Sequence, residues 1–286
     1  MPQLAVMTID LFHSVSNECS KEVTLRYSTS FSSAIRLLHK DLRQPIFNIY
    51  GFVRFADEIV DTFHQHDKQE LLEQFKIETF DAIRRGISLN PILNSFQLTV
   101  NQYKIDHQLI HAFFSSMESD LTQNGYDRQG YEEYIYGSAE VVGLMCLYIF
   151  CEGAKEQYEG LKQSAKALGA AFQKVNFLRD IKADFIDLSR IYFPGCDFHN
   201  FTQRDKQQIQ EDIEADFKEA YKGILHLPMK AKFGVYVAYK YYYSLFRKIK
   251  GIEPQNILEQ RIRIPNYYKA YIVLRASVKN SLRLLQ

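Results

Sequence analysis

Tryptophan is absent, and cysteine (4), proline (7) and glycine (13) are scarce in a chain of 286 residues. The four cysteines, Cys19, Cys146, Cys151 and Cys196, form no CxxC pair and stand at no zinc-site spacing from histidine. That excludes a zinc ribbon or a thioredoxin-type redox motif and fits reduced thiols in a cytoplasmic protein. No glycine-rich loop of the GxGxxG kind is present to cradle a dinucleotide. No uninterrupted run approaches the roughly 20 apolar residues that cross a bilayer. Met1 to Leu11 lacks the basic flank and apolar stretch of a signal peptide. Hydrophobic residues at 46% and charged residues at 24% exclude a disordered chain.

The few prolines, Pro45, Pro91, Pro194, Pro228, Pro254 and Pro265, separate long stretches with helical apolar period. Proline is tolerated in the first turn of a helix and excluded from its interior. Leu161, Ala165, Leu168, Phe172 and Val175, for example, recur at steps of three or four. The pattern predicts helices over 20–39, 44–64, 67–86, 92–103, 106–122, 130–152, 155–185, 203–225, 230–250 and 266–284. With no strand alternation of note and no Ser/Gly-rich linker, one all-α domain over 1–286 is expected. The net charge of +1 hides an asymmetry, because residues 222–286 carry 13 Lys and Arg against Glu253 and Glu259. A basic end suits an anionic partner: diphosphate, an anionic membrane surface or nucleic acid.

Polar residues stand where apolar ones belong in two segments. Phe47, Tyr50, Arg54, Asp57 and Asp61 follow at steps of 3, 4, 3 and 4 and share one helix face. Phe52, Val53, Phe55, Ile59 and Val60 make the other sides apolar, so the helix reads as buried nearly all round. Asp57 and Asp61, one turn apart, repel each other unless a cation or strong donors compensate them. A second helix repeats the arrangement with Gln173, Asn176, Asp180 and Asp184 at steps of 3, 4 and 4. Two such faces can close on one site, and hard oxygen ligands without His or Cys favour magnesium completed by substrate phosphate. A lone DxxxD on a helix is usually a solvated face; two, each set in apolar sequence, point to a metal–diphosphate site.

These segments together resemble the squalene/phytoene synthase family, closest to its bacterial phytoene synthases. The match runs through Tyr27-Ser-Thr-Ser-Phe31, Ile49 to Asp61, Tyr134 to Gly143, Gln173 to Asp184 and Arg190-Ile-Tyr-Phe-Pro194. The resemblance implies the all-α isoprenoid synthase fold with a central cavity. It implies that Asp57, Asp61, Asn176, Asp180 and Asp184 hold magnesium, with manganese as a substitute. By the same resemblance Ser28, Ser30, Phe31, Gln173, Arg179, Arg190 and Arg261 bind substrate, and Arg54, Tyr50 and Tyr134 stand by the reacting groups. Three positions depart from the family pattern: Glu58 replaces a common Asp, while Glu140 and Ser189 replace common glycines.

The implied reaction is Mg-dependent head-to-head condensation of two geranylgeranyl diphosphates to phytoene through a cyclopropylcarbinyl diphosphate, without NADPH. Farnesyl diphosphate giving dehydrosqualene or squalene is the alternative; squalene formation would need the nicotinamide. A non-catalytic assembly factor is a weaker reading, because both aspartate motifs are intact. Tyr239-Lys-Tyr-Tyr-Tyr243 in the basic part suggests base stacking, but its spacing reads better as a packed face with snorkelling lysines, so no nucleic acid is expected. His107 and His111 at i, i+4 lack the acid of a zinc-protease motif and read as surface or core residues. The expected partners are isoprenoid diphosphates, a desaturase acting on the product, and peripheral contact of the basic C-terminal helices with the inner membrane face.

Overall fold

The computed structural model describes residues 2–123, 125–182, 192–196, 201–257 and 262–281. Helices α1 (Pro2–Tyr27), α2 (Thr29–Ile35), α3 (Lys40–Asp61), α4 (Lys68–Arg85), α5 (Pro91–Tyr103) and α6 (His107–Thr122) form the first half. The second half holds α7 (Arg128–Ile135), a π-helical turn (Tyr136–Glu140), α8 (Val141–Cys151), α9 (Lys155–Lys182), α10 (Gln203–His226), α11 (Met229–Lys250), α12 (Pro254–Ile257) and α13 (Asn266–Ser281). The chain is all-α, as its proline spacing and 3.6-residue period predict.

Side-chain caps set many of the boundaries. Asp67, Asn90, Asp106 and Asp127 each accept a backbone N–H from the first turn of α4, α5, α6 and α7. Thr202 and Asp205 close a reciprocal capping box at α10. The predicted helix 20–39 is in fact two helices. Ser28 adopts an extended backbone (φ −142°) and its Oγ accepts the N–H of Phe31 at 3.1 Å, ending α1 and starting α2.

Helix α1 begins well before the predicted start at 20, because its buried face is polar. Ser16, Ser20 and Thr24 are fully buried. Asn94 of α5 donates to Ser16 Oγ at 2.9 Å, and the Ser20 and Ser95 hydroxyls meet at 2.6 Å. A hydrophobic-period reading passes over such a face.

α9 is the central wall, packed against α8, the π turn, α10 and α11, with α3, α2 and α6 completing a ring around a cavity. The approach of α9 to the π turn requires glycine, since a Cβ on Gly169 would lie 2.5 Å from the Ala139 carbonyl oxygen. Gly143 makes the reciprocal approach, its absent Cβ 2.7 Å from the Ala165 carbonyl oxygen. Glu140, the last residue of the π turn, is not part of the cavity lining and pairs with Lys166 at 2.9 Å. Its carboxylate therefore occupies the common glycine position without entering the site; Gly143 and Gly169 supply the close contact.

Arg128–Cys151 is the one helical stretch among the described residues long and apolar enough to cross a membrane, with mean hydropathy 1.5 over its most apolar 18 residues. Continuous-run counting misses it because Glu140 interrupts it. More than half of that apolar part is buried, against α6 and α9, as a core helix of the ring. His111 stacks on Phe80 at 4.2 Å between ring centroids, so the His107–His111 pair serves packing.

Candidate active site

A cavity of about 640 Å³ runs through the ring of helices, within the size range of small-molecule sites. Its wall changes character along its length. Ile46 and Asp61, both lining it from α3, are 15 residues apart, or about 22 Å of helix. Leu38, Ile46, Leu147, Phe150, Ile224 and Leu227 close the apolar end. At the other end stand Arg54, Asp57, Asp61, Asp120, Gln173, Asn176, Arg179 and Asp180. Both polar stripes read from the sequence, one on α3 and one on α9, therefore face the same space.

The polar end is electrostatically tense. Burial, then the neighbouring Asp61, then Asp120 push the Asp57 carboxyl up to about 7, with Arg54 opposing them. Solvent entering by the cavity still reaches about a third of the Asp57 side chain, 33%, so water screens part of this repulsion. Arg54 is held in place from three sides: Glu58 by a short ion pair, Asp57 at 3.9 Å, and the Tyr27 ring 4.5 Å from its guanidinium carbon. Glu58, in a position where the family commonly has aspartate, thus uses its longer arm to reach back one turn and fix Arg54. On α9, Arg179 Nε donates to both carboxylate oxygens of Asp180 at 3.0 and 3.1 Å.

Asn176 Oδ1 is buried with no hydrogen-bond partner among the described residues, an acceptor left open in the cavity wall. Ser138 Oγ and Arg54 Nε, on residues that also line the cavity, are likewise buried and without a partner among the described residues. Among the described residues no three His, Cys, Asp or Glu side chains converge to cage an ion unaided. Hard oxygens from two helices, too few for a full shell, suit magnesium that takes the rest from phosphate and water. The donor set fits.

Between the two ends the wall is aromatic. Phe31, Tyr50, Phe172 and Tyr242 form one group, with Phe31 5.7 Å from Tyr50 and Phe172 stacked on Tyr242 at 4.0 Å. Tyr134, Phe177 and Tyr192 form another, Phe177 and Tyr192 stacking at 4.0 Å and 3°. The Tyr134 hydroxyl donates to Asp120 Oδ2 at 2.6 Å. Burial first, then Tyr242, pushes the Tyr50 phenol up to about 12; burial, then Asp120, drives Tyr134 well above its ordinary value. At neutral pH Tyr50, Tyr134 and Tyr242 present electron-rich faces and no phenolate.

Of the substrate-binding residues expected from sequence, Ser28, Phe31, Gln173 and Arg179 line the cavity. Ser30 is half-buried and does not line it. Asp184, Arg190 and Arg261 lie outside the described residues. Asp120, Ser138, Phe172, Tyr192 and Tyr242 belong to the lining without having been singled out. Asp120 carried the same signal as Asp57: Phe113, Met117 and Asp120, at steps of 4 and 3, are all buried on α6.

Residues 24–268 match the family described as Squalene/phytoene synthase. The chain belongs to the squalene/phytoene synthase family. A phytoene synthase of Arthrospira platensis is 26% identical over 89% of this chain and 90% of its own length. A 4,4'-diapophytoene synthase of Staphylococcus haemolyticus is 27% identical over 66% of each chain. A solved dehydrosqualene synthase superposes with a TM-score of 0.80 at 18% identity, over 94% of this chain and 98% of its own, which establishes the isoprenoid synthase fold. As a member of a family of synthases of this type, the chain is an enzyme of the prenyltransferase kind.

Proposed function

We propose that this squalene/phytoene synthase homologue condenses two geranylgeranyl diphosphates head to head, giving phytoene. The observation that carries the reading is the meeting of two acidic helix faces at one end of a greasy, aromatic-walled cavity. Asp57, Asp61, Asn176 and Asp180, with Asp184, would hold magnesium or manganese. When bound, the metal supplies positive charge that neutralises a departing diphosphate.

The chain's own residues do the rest. Arg54, clamped by Glu58 and Tyr27, and Arg179, held by Asp180, present fixed guanidinium groups to the same diphosphate oxygens. An allylic carbon–oxygen bond breaks, and the cation is captured by the double bond of the second substrate. Loss of one diphosphate and one proton yields a cyclopropylcarbinyl diphosphate; loss of the second diphosphate, rearrangement and loss of another proton yield the linear product. Phe31, Tyr50, Phe172 and Tyr242 on one side and Tyr134 and Phe177 on the other can stabilise positive carbon, each by ~0.5–2 kcal/mol. Their protonated phenols do not trap it as phenolates would. The apolar end excludes water that would quench it.

The C20 choice rests on the run Gly137-Ser-Ala-Glu-Val-Val-Gly143, which looks like that of bacterial phytoene synthases, and on a phytoene synthase among the relatives. The similarity to a 4,4'-diapophytoene synthase favours the C15 alternative. Incubation of purified protein and magnesium with each diphosphate, with and without NADPH, separates them. The expected result is a C40 hydrocarbon from the C20 substrate, unaffected by NADPH. A C30 hydrocarbon from farnesyl diphosphate, with none from geranylgeranyl diphosphate, overturns the C20 choice. The product would pass to a membrane and a desaturase.

A further inference from the structure

Helix α13 buries one side and leaves the other bare. Ile272 and Ala276 are buried, where α13 packs on α11. On the opposite side Tyr267, Tyr271, Leu274 and Val278 are 77%, 51%, 65% and 52% exposed. Their spacing of 4, 3 and 4 puts all four within about 60° of arc on the helix surface. An exposed apolar stripe four residues long, two of them tyrosines, marks an interaction surface rather than scattered surface apolarity.

Its flank is strongly basic. Arg275 and Lys279 lie between the bare stripe and the buried side. On neighbouring α11 the Lys240 ammonium packs among four tyrosine rings, at 5.3 to 6.0 Å from their centroids. Burial, then Lys279, Arg275 and Arg247, hold its pKa below the ordinary lysine value. None of these four cations forms an ion pair among the described residues, so the cluster is a standing concentration of positive charge. The first turn of α13 also reaches α2: Lys269 Nζ donates to Thr29 Oγ1 at 2.7 Å, and Thr29 follows directly on Tyr27 and Ser28 of the cavity lining.

We infer that the Tyr267–Val278 stripe of α13, with Arg275 and Lys279, docks on an anionic lipid bilayer beside the mouth of the cavity. The chemistry is that of an interfacial amphipathic helix: tyrosines and aliphatics enter the headgroup boundary while flanking cations meet lipid phosphate. The inference rests on the proposed reaction, whose hydrocarbon product is insoluble in water and needs a lipid phase near its exit. A protein partner or a second copy of the chain would account for the apolar stripe but not for the unpaired cations beside it.

Vesicle flotation of the full chain tests this, with vesicles of phosphatidylglycerol and phosphatidylcholine against phosphatidylcholine alone, at low and high salt. Wild type is expected to float with anionic vesicles at low salt and to be released by high salt. Arg275→Glu/Lys279→Glu should weaken binding at least about tenfold, since each surface cation contributes on the order of 1 kcal/mol to anionic membrane binding. Tyr267→Ser/Leu274→Ser/Val278→Ser should do so by a comparable factor at unchanged charge. Both variants should retain wild-type condensation in detergent micelles, because none of these residues lines the cavity. Wild type that fails to float, variants that float equally well, or a stripe variant that only turns a dimer into a monomer would each overturn the assignment. Loss of flotation with micellar activity intact in wild type condemns the docking surface alone; flotation without condensation condemns the reaction alone.

Discussion

Asp57→Asn is expected to lower kcat/KM by about a thousandfold or more, and yet to make the metal-free protein more stable. The activity loss follows from removing a hard anionic ligand at the point where diphosphate charge must be neutralised; about 4 kcal/mol of lost transition-state stabilisation corresponds to that factor. The stability gain follows from the crowding of Asp57 by Asp61 and Asp120 in a buried wall. A carboxyl whose folded pKa lies near 7, above its unfolded value of 3.8, favours folding most when protonated. Its contribution is fully present below about pH 4 and is lost as pH rises through about 7. At pH 8 the ionised Asp57 opposes folding, and the neutral amide does not.

Cavity water screens part of that repulsion, so the net gain is set at about 1 kcal/mol, a Tm rise of roughly 2–4 °C for a chain of this size. Thermal melts of wild type and variant in chelator at pH 4.5 and pH 8 check it. The gap should open only at the higher pH, and magnesium with pyrophosphate should close it by stabilising wild type. A variant less stable than wild type at pH 8 would contradict the electrostatic picture.

The second large effect concerns Arg54. Arg54→Gln is expected to reduce kcat/KM by about 10²–10³-fold and to destabilise the fold by about 1–3 kcal/mol. Removal of the guanidinium leaves the largely buried Glu58 carboxylate, 14% exposed, without its counter-ion. The partial solvation of the pair keeps the cost below that of a fully buried one. Arg54→Gln/Glu58→Gln should recover most of the lost Tm and none of the activity. That split separates a residue acting on substrate from one that only supports the fold. If the double variant regained activity along with stability, Arg54 would be a structural residue.

Much of the fold and half of the site can be read from the chain because the same anomaly marks both. Arg54, Asp57 and Asp61 on an otherwise apolar helix, and Gln173, Asn176 and Asp180 on another, are polar residues in buried sequence. A helical period converts that oddity into two faces, and the faces meet across one cavity. What escaped was carried by other physics. α1 buries Ser16, Ser20 and Thr24, held by hydrogen bonds to α5 rather than by apolar area. The π turn at Tyr136–Glu140 has no compositional mark; it arises where Gly137 and Gly169 let three helices crowd. Tyr192 and Tyr242 join the lining only because distant segments fold onto Phe177 and Phe172, which spacing along the chain does not reveal.

Glu58 has a role that likeness to the family does not give. By resemblance it is a lengthened replacement for a common aspartate; in the fold its extra methylene lets it grip Arg54 one turn back. Glu140, an apparent intrusion at a glycine position, is neutralised by Lys166 away from the cavity.

The most direct measurement is calorimetric binding of inorganic pyrophosphate to wild type, Asp57→Asn, Asp180→Asn and the double variant, each with and without magnesium. If α3 and α9 grip one ligand through shared ions, wild type binds only with magnesium and each single variant loses most of that affinity. The double variant then loses little more than either single one, a coupling expected of residues acting on one cluster. Pyrophosphate binding that ignores magnesium, or losses that simply add, would mean that the two aspartate faces serve separate ends.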